Sequence, residues 1–283
     1  MNSLPALLGC AGLLGLLVTP ARAQLIAYES FDYTVGSNVA GNTLSGVGTW
    51  AALNLTTTRP TIVSGNLSVS GLASSTGQSV NLPGGNYEEA VLPFTSTNAG
   101  SIFFSIALNL TTQPGAATYT LGFSTANTNY GATIWTQASG AGYQIGFSNR
   151  SNSTVVYDST VHSLNTTVFL VGRYDFISGT GNDTSALWIN PSSATFGAGS
   201  APSATLTSSG GTDMAAISQF LLRGTTNSPI AIVDELRIGT TWASVTPPAP
   251  IPEPSTYAAL LGALALGLVA LRRHRRNTSH QVS

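Results

Sequence analysis

Short segments of alternating apolar and polar residues follow one another through most of the chain. They recur at short, even spacing and are separated by loops rich in Gly, Asn and Ser. The predicted strands are 25–33, 66–70, 87–94, 102–110, 119–123, 132–136, 143–147, 154–157, 168–176, 186–189, 220–222 and 230–238. A dozen such strands predict an all-β fold, and they suit a two-sheet jelly-roll sandwich better than a seven-stranded immunoglobulin sandwich.

Two apolar runs, one at each end of the sequence, do not fit this strand pattern. In the first, residues 7–18 are apolar, and Ala21 and Ala23 supply the small residues of a cleavage site. We therefore predict that residues 1–23 form a signal helix, which takes the chain to the Sec translocon and is removed by signal peptidase. The leading residues lack Lys and Arg, and a lipoprotein signal ending at Cys10 is the alternative.

The second apolar run, residues 257–271, ends in a block of arginines. Its length of about 15 residues is short of the ~20 that a spanning helix prefers, and local thinning of the bilayer can absorb the difference. The arginines are Arg272, Arg273, Arg275 and Arg276. Because these side chains cross hydrocarbon at high cost, the positive-inside rule places them and the polar end 277–283 in the cytoplasm. The rest of the chain is then expected outside the inner membrane.

A Pro-Glu-Pro sequence, formed by Pro252, Glu253 and Pro254, precedes this apolar run. Together with the apolar run and the arginine block, residues 251–276 resemble the PEP-CTERM sorting tail of exported bacterial proteins. The resemblance implies recognition by an exosortase, a membrane enzyme that cuts near the Pro-Glu-Pro signal and passes the protein to the cell surface or extracellular matrix. A plain membrane anchor and a buried soluble helix are the alternatives.

A second resemblance concerns the β region, which we expect to span residues 24–245. Residues 28–33 and 233–239, and the stretch 170–176, are similar to parts of concanavalin-like (laminin-G-like) jelly rolls. The resemblance implies that the first and last strands lie together and close the domain. Residues 246–250 are rich in proline, which predicts a stiff spacer of polyproline character that holds the domain off the membrane.

Composition narrows the classes of function. Only 7% of the residues are charged, against ~25% in ordinary soluble domains. Residues 24–254 carry eleven acidic residues and five arginines, so nucleic acid is a disfavoured partner. The one cysteine, Cys10, lies in the predicted leader, which leaves no disulfide or thiolate for the exported part. His162 is the one histidine of the exported part, and we expect it at the surface.

Catalysis by this domain is not expected. A glycosidase needs two carboxyl groups that face each other across a sugar-sized gap. The pairs Glu88-Glu89 and Asp234-Glu235 are adjacent in sequence, so on a strand they point to opposite faces. We expect Glu88 and Glu89 at an exposed edge. A divergent glycosidase or polysaccharide lyase is kept as an alternative.

Two kinds of binding site have candidate residues. Asp32 and Asp234 are candidate calcium ligands near the joined terminal strands, since Ca²⁺ takes oxygen ligands. The alternative is that Asp234 or Glu235 forms an ion pair with Arg237 or Arg223. The candidates for stacking against sugars are Trp50, Trp135, Trp188 and Trp242, with Tyr130 and Tyr143. Aromatic residues more often pack in cores, and we expect at least two of the four tryptophans to be buried.

The combined expectation is an exported surface or matrix protein that needs no cofactor and has no catalysis of its own. It is held in the inner membrane during export and then sorted to the cell surface. A module that binds exopolysaccharide is the first alternative.

Overall fold

Two large antiparallel sheets dominate the computed structural model, which describes residues 24–54, 56–125, 129–250 and 261–270. The strands are β1 Leu25–Glu29, β2 Thr43–Leu44, β3 Gly48–Thr49, β4 Ala51–Ala52, β5 Thr61–Val63, β6 Ser79–Pro83, β7 Ala90–Thr97, β8 Gly100–Leu110, β9 Thr118–Ser124, β10 Tyr130–Ser139, β11 Gly142–Arg150, β12 Val156–Tyr157, β13 Val168–Phe176, β14 Thr184–Ile189, β15 Leu206–Ser209, β16 Ile217–Leu222 and β17 Ile230–Gly239. The predicted all-β architecture with two sheets is confirmed.

Each large sheet is built from strands that are distant in sequence. The eight-stranded sheet has the order β15-β14-β13-β8-β17-β6-β5, and β1 also pairs with β17. The seven-stranded sheet has the order β12-β11-β10-β9-β16-β7-β4, and β2 and β3 form a separate hairpin. Strands that are neighbours in one sheet are often separated along the chain by strands of the other sheet. The sandwich therefore depends on contacts between segments that are distant in sequence.

The first and last strands of the domain lie side by side. Leu25 is opposite Gly239 and Glu29 is opposite Leu236, in an antiparallel ladder interrupted by a bulge. The first half of β17 pairs instead with β6. The closure that the second resemblance implied is therefore present, and residues 24–240 form one closed unit.

The main core lies between the two sheets and is rich in aromatic residues. Phe104 of the eight-stranded sheet meets Phe123 and Phe220 of the seven-stranded sheet, with ring centroids 5.1 and 5.2 Å apart. All three side chains are buried, and both contacts have the edge-to-face geometry that aromatic pairs favour. Alternation along each strand directs these residues inward, which is the pattern that the sequence displays.

A second apolar layer covers the outer face of the eight-stranded sheet. We call it the outer cluster, and its buried members are Leu72, Phe103, Phe169, Val171, Ala186, Trp188, Phe196, Trp242 and Val245. Four of them lie outside the strands, in the loop before β6, in the segment between β14 and β15, and in the stretch after β17. Strands β8, β13 and β14 consequently have buried residues on both faces of this sheet.

Some strand predictions are wrong, and one of them concerns a loop that is held by a side-chain hydrogen bond instead of strand pairing. Residues 66–70 alternate in sequence, yet they form a loop rather than a strand. The Leu67 N–H donates to the Asp234 carboxylate at 2.8 Å, so this segment is docked by a side chain. Three strands of at least three residues were not predicted, namely Thr61–Val63, Ser79–Pro83 and Leu206–Ser209. Polar residues or a proline interrupt the last two of these.

Helical structure is sparse in the described chain. The 3₁₀ helix Ser193–Thr195 and the short helix α1, Trp242–Val245, both contribute to the covering of the eight-stranded sheet. Residues 261–270 are helical, and all of them are exposed. Among the residues that the structure describes, no helix is both long and apolar enough to cross a membrane.

Candidate functional site

The end of the domain, where the chain leaves toward the Pro-Glu-Pro signal, is firmly held. Helix α1 begins with a capping box, in which Thr241 and Ser244 bond each other's main-chain N–H. The Trp242 indole N–H donates to the Thr195 carbonyl at 2.7 Å, and the Ser105 hydroxyl donates to the Val245 carbonyl at 2.6 Å. These bonds satisfy polar groups of a segment that is otherwise buried by apolar contacts.

The proline-rich residues after α1 continue this attachment. The Ala73 N–H donates to the Pro247 carbonyl at 2.8 Å, and the Ala249 N–H donates to the Gly71 carbonyl at 2.9 Å. Thr246 is fully buried. The first four residues of the predicted stiff spacer, 246–249, are therefore packed on the folded domain rather than separate from it.

The predicted targeting residues lie outside the described chain. These are Ala21 and Ala23 at one end, and Pro252, Glu253, Pro254, Arg272, Arg273, Arg275 and Arg276 at the other. Their roles stay predictions, as does the signal helix 1–23. Of the predicted membrane helix 257–271, only residues 261–270 are described, and its spanning of the membrane also stays a prediction.

A second candidate site is an aromatic platform on the outer face of the seven-stranded sheet. Its rings are Tyr119, Tyr130 and Trp135, with centroids 5.6 Å apart for the two tyrosines and 5.1 Å for Tyr119 and Trp135. Ile134 lies in the main core, so its neighbour Trp135 faces away from the core by strand alternation. The Trp135 indole N–H donates to the Ser148 hydroxyl at 2.8 Å, which orients the ring.

One arginine lies on this platform. The Arg223 Cζ is 4.1 Å from the centroid of the Tyr119 ring, a cation–π geometry. Its Nε is 3.3 Å from Oε1 of Glu89, and the Arg223 side chain keeps 23% of its surface exposed. Burial raises the pKa of the Glu89 carboxyl, while Arg223 opposes that rise. Tyr119 and Tyr130 are each only 9% exposed and Glu89 is buried, so the accessible parts of the patch are the half-buried Trp135 ring and the Arg223 side chain.

Pattern analysis did not find most of this platform. Trp135 and Tyr130 were candidates for sugar stacking, but Tyr119, Glu89 and Arg223 were not connected to them. The residues come from β9, from β10 and from the ends of β7 and β16, and Glu89 is 134 positions from Arg223. Residues 24–254 contain only five arginines, which was the one signal in the sequence that drew attention to Arg223. The number of arginines does not indicate where Arg223 lies in the fold.

The other three candidate tryptophans are buried. Trp50, Trp188 and Trp242 expose 3% or less of their surface. Trp50 donates its indole N–H to Glu29 at 2.8 Å, and Trp188 packs against Trp242 at 5.2 Å. The prediction that at least two tryptophans are buried is confirmed. The proposed sugar-stacking role of these three is corrected accordingly, because a buried ring has no free face.

The predicted calcium ligands are used differently in the structure. Asp32 is exposed, whereas Asp234 is fully buried and accepts main-chain N–H groups of Leu67 and Glu235 at 2.8 and 2.7 Å. Burial raises the pKa of Asp234 to about 7. Within the described residues, no group of three or more His, Cys, Asp or Glu side chains is arranged to hold a metal ion.

The ion-pair alternative for this region is confirmed. Glu235 Oε2 lies 2.6 Å from the Arg237 guanidinium, and the Tyr28 hydroxyl donates to Glu235 Oε1 at 2.9 Å. The Arg237 Cζ is 4.3 Å from the centroid of the Tyr28 ring. Glu235 has a φ of 58°, which marks the bulge in β17 where this buried network forms.

Two further expectations about charged residues are wrong. Glu88 and Glu89 are buried rather than exposed, and each has its own arginine, Arg59 at 3.4 Å and Arg223 at 3.3 Å. His162 is also buried, 3.3 Å from Asp158 and against the Tyr143 ring. Arginines distant in sequence pair with Glu88 and Glu89, and a main-chain bridge to Tyr143 holds His162 against the domain.

Comparison with known proteins supports the sorting tail. Residues 250–276 match the PEP-CTERM protein-sorting motif. No curated protein is significantly similar to the chain. Two similar solved structures are an endo-β-1,4-glucuronan lyase from the fungus Trichoderma reesei (13% identity, 76% of this chain and 100% of that chain, TM-score 0.49) and the globular domain of T. cruzi calreticulin (11%, 79% and 94%, 0.45). A third is domain 4 of an extracellular arabinanase from Geobacillus stearothermophilus with arabinotriose (15%, 79% and 97%, 0.41).

Proposed function

We propose that this protein is an exported bacterial surface or matrix protein that an exosortase-type enzyme processes at its C-terminal tail. The match of residues 250–276 to the PEP-CTERM motif carries the proposal. The β-sandwich, a jelly roll of the concanavalin-like type in this proposal, is the delivered domain and has no catalysis of its own. The tail inserts in the inner membrane with its arginines in the cytoplasm, and the domain lies outside.

The chemistry of the tail supports recognition before the membrane. Two prolines, Pro252 and Pro254, disfavour helix and strand pairing and keep this segment open to an enzyme. Between them, Glu253 is the one charge between residue 238 and the arginine block. A cationic group on the processing enzyme binds such a carboxylate most strongly as a hydrogen-bonded ion pair.

The proposal is tested by the intact mass of the protein in its native host. We expect the wild type to lose the apolar run and the arginines, and Glu253→Ala to accumulate at full tail length in the inner membrane. Ser255→Ala, which changes the same segment without changing its charge, is the matched control and is processed normally. A wild-type protein that keeps Leu271 and the arginines at the surface contradicts the sorting function and leaves a plain anchor.

A second function, binding of exopolysaccharide, is favoured by the aromatic platform. Trp135 is half-buried with its ring fixed by hydrogen bonds, and Arg223 adds donors over the neighbouring Tyr119 ring. Sugars present apolar C–H faces and hydroxyl groups, which suit an aromatic ring next to polar side chains. We propose that the platform is the contact surface for such a polymer.

A glycan array with residues 24–250 tests this second function. We expect Trp135→Ala and Arg223→Ala each to abolish binding while the circular-dichroism spectrum stays that of a β protein. Arg59→Ala is the matched control, because Arg59 also pairs with a buried glutamate but is absent from the platform. Equal binding by all four proteins contradicts the assignment of the platform.

A further inference from the structure

The point at which the chain leaves the domain is fixed by main-chain bonds. Ala249 is bonded to Gly71, and Pro247 accepts from Ala73. Gly71, with a φ of +80°, lies so close to Ser193 that an added Cβ would stand 2.4 Å from the Ser193 Cβ. Only Pro250 separates this attachment from the first residue of the predicted tail. The domain and the tail are therefore joined without a free spacer of any length.

The remaining connection to the apolar run is shorter than the domain is wide. Eight residues lead from Ala249 to Tyr257, and an extended chain covers at most about 29 Å over that number. A domain formed by residues 24–250 has an expected radius of gyration of about 17 Å, hence a width of about 45 Å. With Tyr257 at the membrane, the side of the domain opposite the exit is out of reach of the bilayer.

Arg173, which pairs with Asp175, lies over the Phe103 and Trp188 rings of the outer cluster. The surface around the exit itself is built from three segments that carry no charged side chain. We call it the exit face, and its segments are 68–75, 190–206 and 240–250, which contain no Asp, Glu, Lys or Arg. Contacts join the three segments, since Thr195 accepts from Trp242 and the Gly197 N–H donates to the Thr246 hydroxyl. Residues 24–250 as a whole carry ten acidic residues and five arginines. Anionic headgroups repel such a domain least where its acids are absent.

We propose that the exit face rests on the outer surface of the inner membrane while the tail is inserted. This inference rests on the proposed sorting function. The exit face covers the eight-stranded sheet, whereas the aromatic platform lies on the outer face of the other sheet. Docking in this orientation directs the platform away from the bilayer, toward the polymer outside, before processing releases the protein.

Site-directed spin labelling of the full chain tests the orientation. Cys10→Ser removes the native thiol, and a nitroxide is attached at Ser193→Cys on the exit face or at Gln137→Cys. Gln137 lies two residues from Trp135 and therefore on the platform face. Each protein is reconstituted in phosphatidylethanolamine and phosphatidylglycerol vesicles that contain a nickel-chelating lipid. Nickel at the headgroups then relaxes any nearby nitroxide.

We expect the relaxation enhancement at Ser193→Cys to exceed that at Gln137→Cys several-fold. Equal values, or a larger value at Gln137→Cys, overturn the docking proposal. Flotation of the vesicles keeps the two proposals apart. A protein that does not float with the lipid has no membrane-inserted tail, which contradicts the proposed function itself, whereas a protein that floats without the difference between labels contradicts only the docking of the exit face.

Discussion

The main-chain N–H of Ala249 donates to the carbonyl of Gly71 at 2.9 Å, three residues before the Pro-Glu-Pro signal begins at Pro252. Gly71 belongs to the loop before β6, almost 180 positions earlier in the chain. The bond makes the proline-rich segment a part of the domain. The processing near the signal that we propose would thus take place immediately beside a folded surface rather than on a long free tail.

Trp242 anchors this C-terminal segment, and we expect Trp242→Ala to destabilise the domain by about 3–5 kcal/mol through the loss of buried contacts. Its ring packs on Trp188, and its indole N–H is bonded to Thr195. Urea denaturation of residues 24–250 measures the change. Trp135→Ala is the matched control with a half-buried ring, and its loss is smaller. A larger loss for the control contradicts the ranking.

From the buried pair of Glu235 and Arg237 we expect two variants of this network to lose very different amounts of stability. Glu235→Ala leaves the guanidinium of Arg237 buried without its partner, and we expect a loss of about 3–5 kcal/mol in the free energy of unfolding. Tyr28→Phe removes one hydrogen bond to the same carboxylate and costs about 1 kcal/mol. Chemical denaturation of both variants decides the matter. Similar small losses would show that the pair contributes little.

Because of Asp234, we expect the free energy of unfolding to fall as the pH rises from about 4 to about 8. Burial raises its pKa from 3.8 to about 7 in the folded state. The folded protein therefore binds more protons than the unfolded chain between these values, and its stabilising contribution is lost as the pH rises through about 7. One such group contributes a slope of at most about 1.4 kcal/mol per pH unit.

The variant Asp234→Asn isolates this contribution, since the amide does not titrate. We expect its free energy of unfolding to vary less with pH over the same window than that of the wild type. Burial also raises the pKa of Glu29 and of Glu89, so part of the slope remains in the variant. Thermal denaturation in a pH series gives both slopes. Identical slopes for the two proteins would contradict the assignment to Asp234.

Glu29 predicts a local defect near the first strand. Its carboxylate accepts the Trp50 indole N–H, the Tyr33 hydroxyl and the Phe31 N–H at 2.7–2.8 Å. Glu29→Gln keeps the shape but replaces one acceptor oxygen by a donor, so we expect a loss of about 1–3 kcal/mol. Asp32→Asn changes an exposed acid nearby and leaves stability unchanged. Denaturation curves that do not separate the two variants would contradict the role of Glu29.

The alternation of residues predicted most strands because it reports directly which face of a strand is buried. Residues 168–176 were predicted with the observed bounds, and 102–110 and 230–238 differ from theirs by one or two residues. The same pattern did not distinguish Trp135 from Trp188, since both lie in amphipathic strands. Trp188 is buried because segments far away in sequence cover this part of the eight-stranded sheet, whereas Trp135, on the outer face of the other sheet, stays half-buried.

The partners of the charged groups were likewise outside the reach of pattern analysis. Glu89 was expected at an exposed edge, because no residue near it in sequence indicated that it pairs with Arg223. Asp234 was only a candidate calcium ligand, and nothing near it in sequence indicated that the Leu67 N–H donates to its carboxylate. The pairing of Glu235 with Arg237 was within reach, since the two residues are neighbours on one strand.

The sequence by itself determined the all-β class and the sorting motif, because these depend on local periodicity and on contiguous residues. The joined terminal strands were implied only by the resemblance to concanavalin-like jelly rolls. The motif is a linear signal that a second protein reads, so it needs no fold of its own. Only the tertiary structure decided which aromatic rings stay accessible, which acids are paired and where the chain leaves the domain. Those properties arise when segments separated by a hundred or more residues pack against each other. The free energy of that packing depends on both segments together, so no single stretch of the chain predicts it.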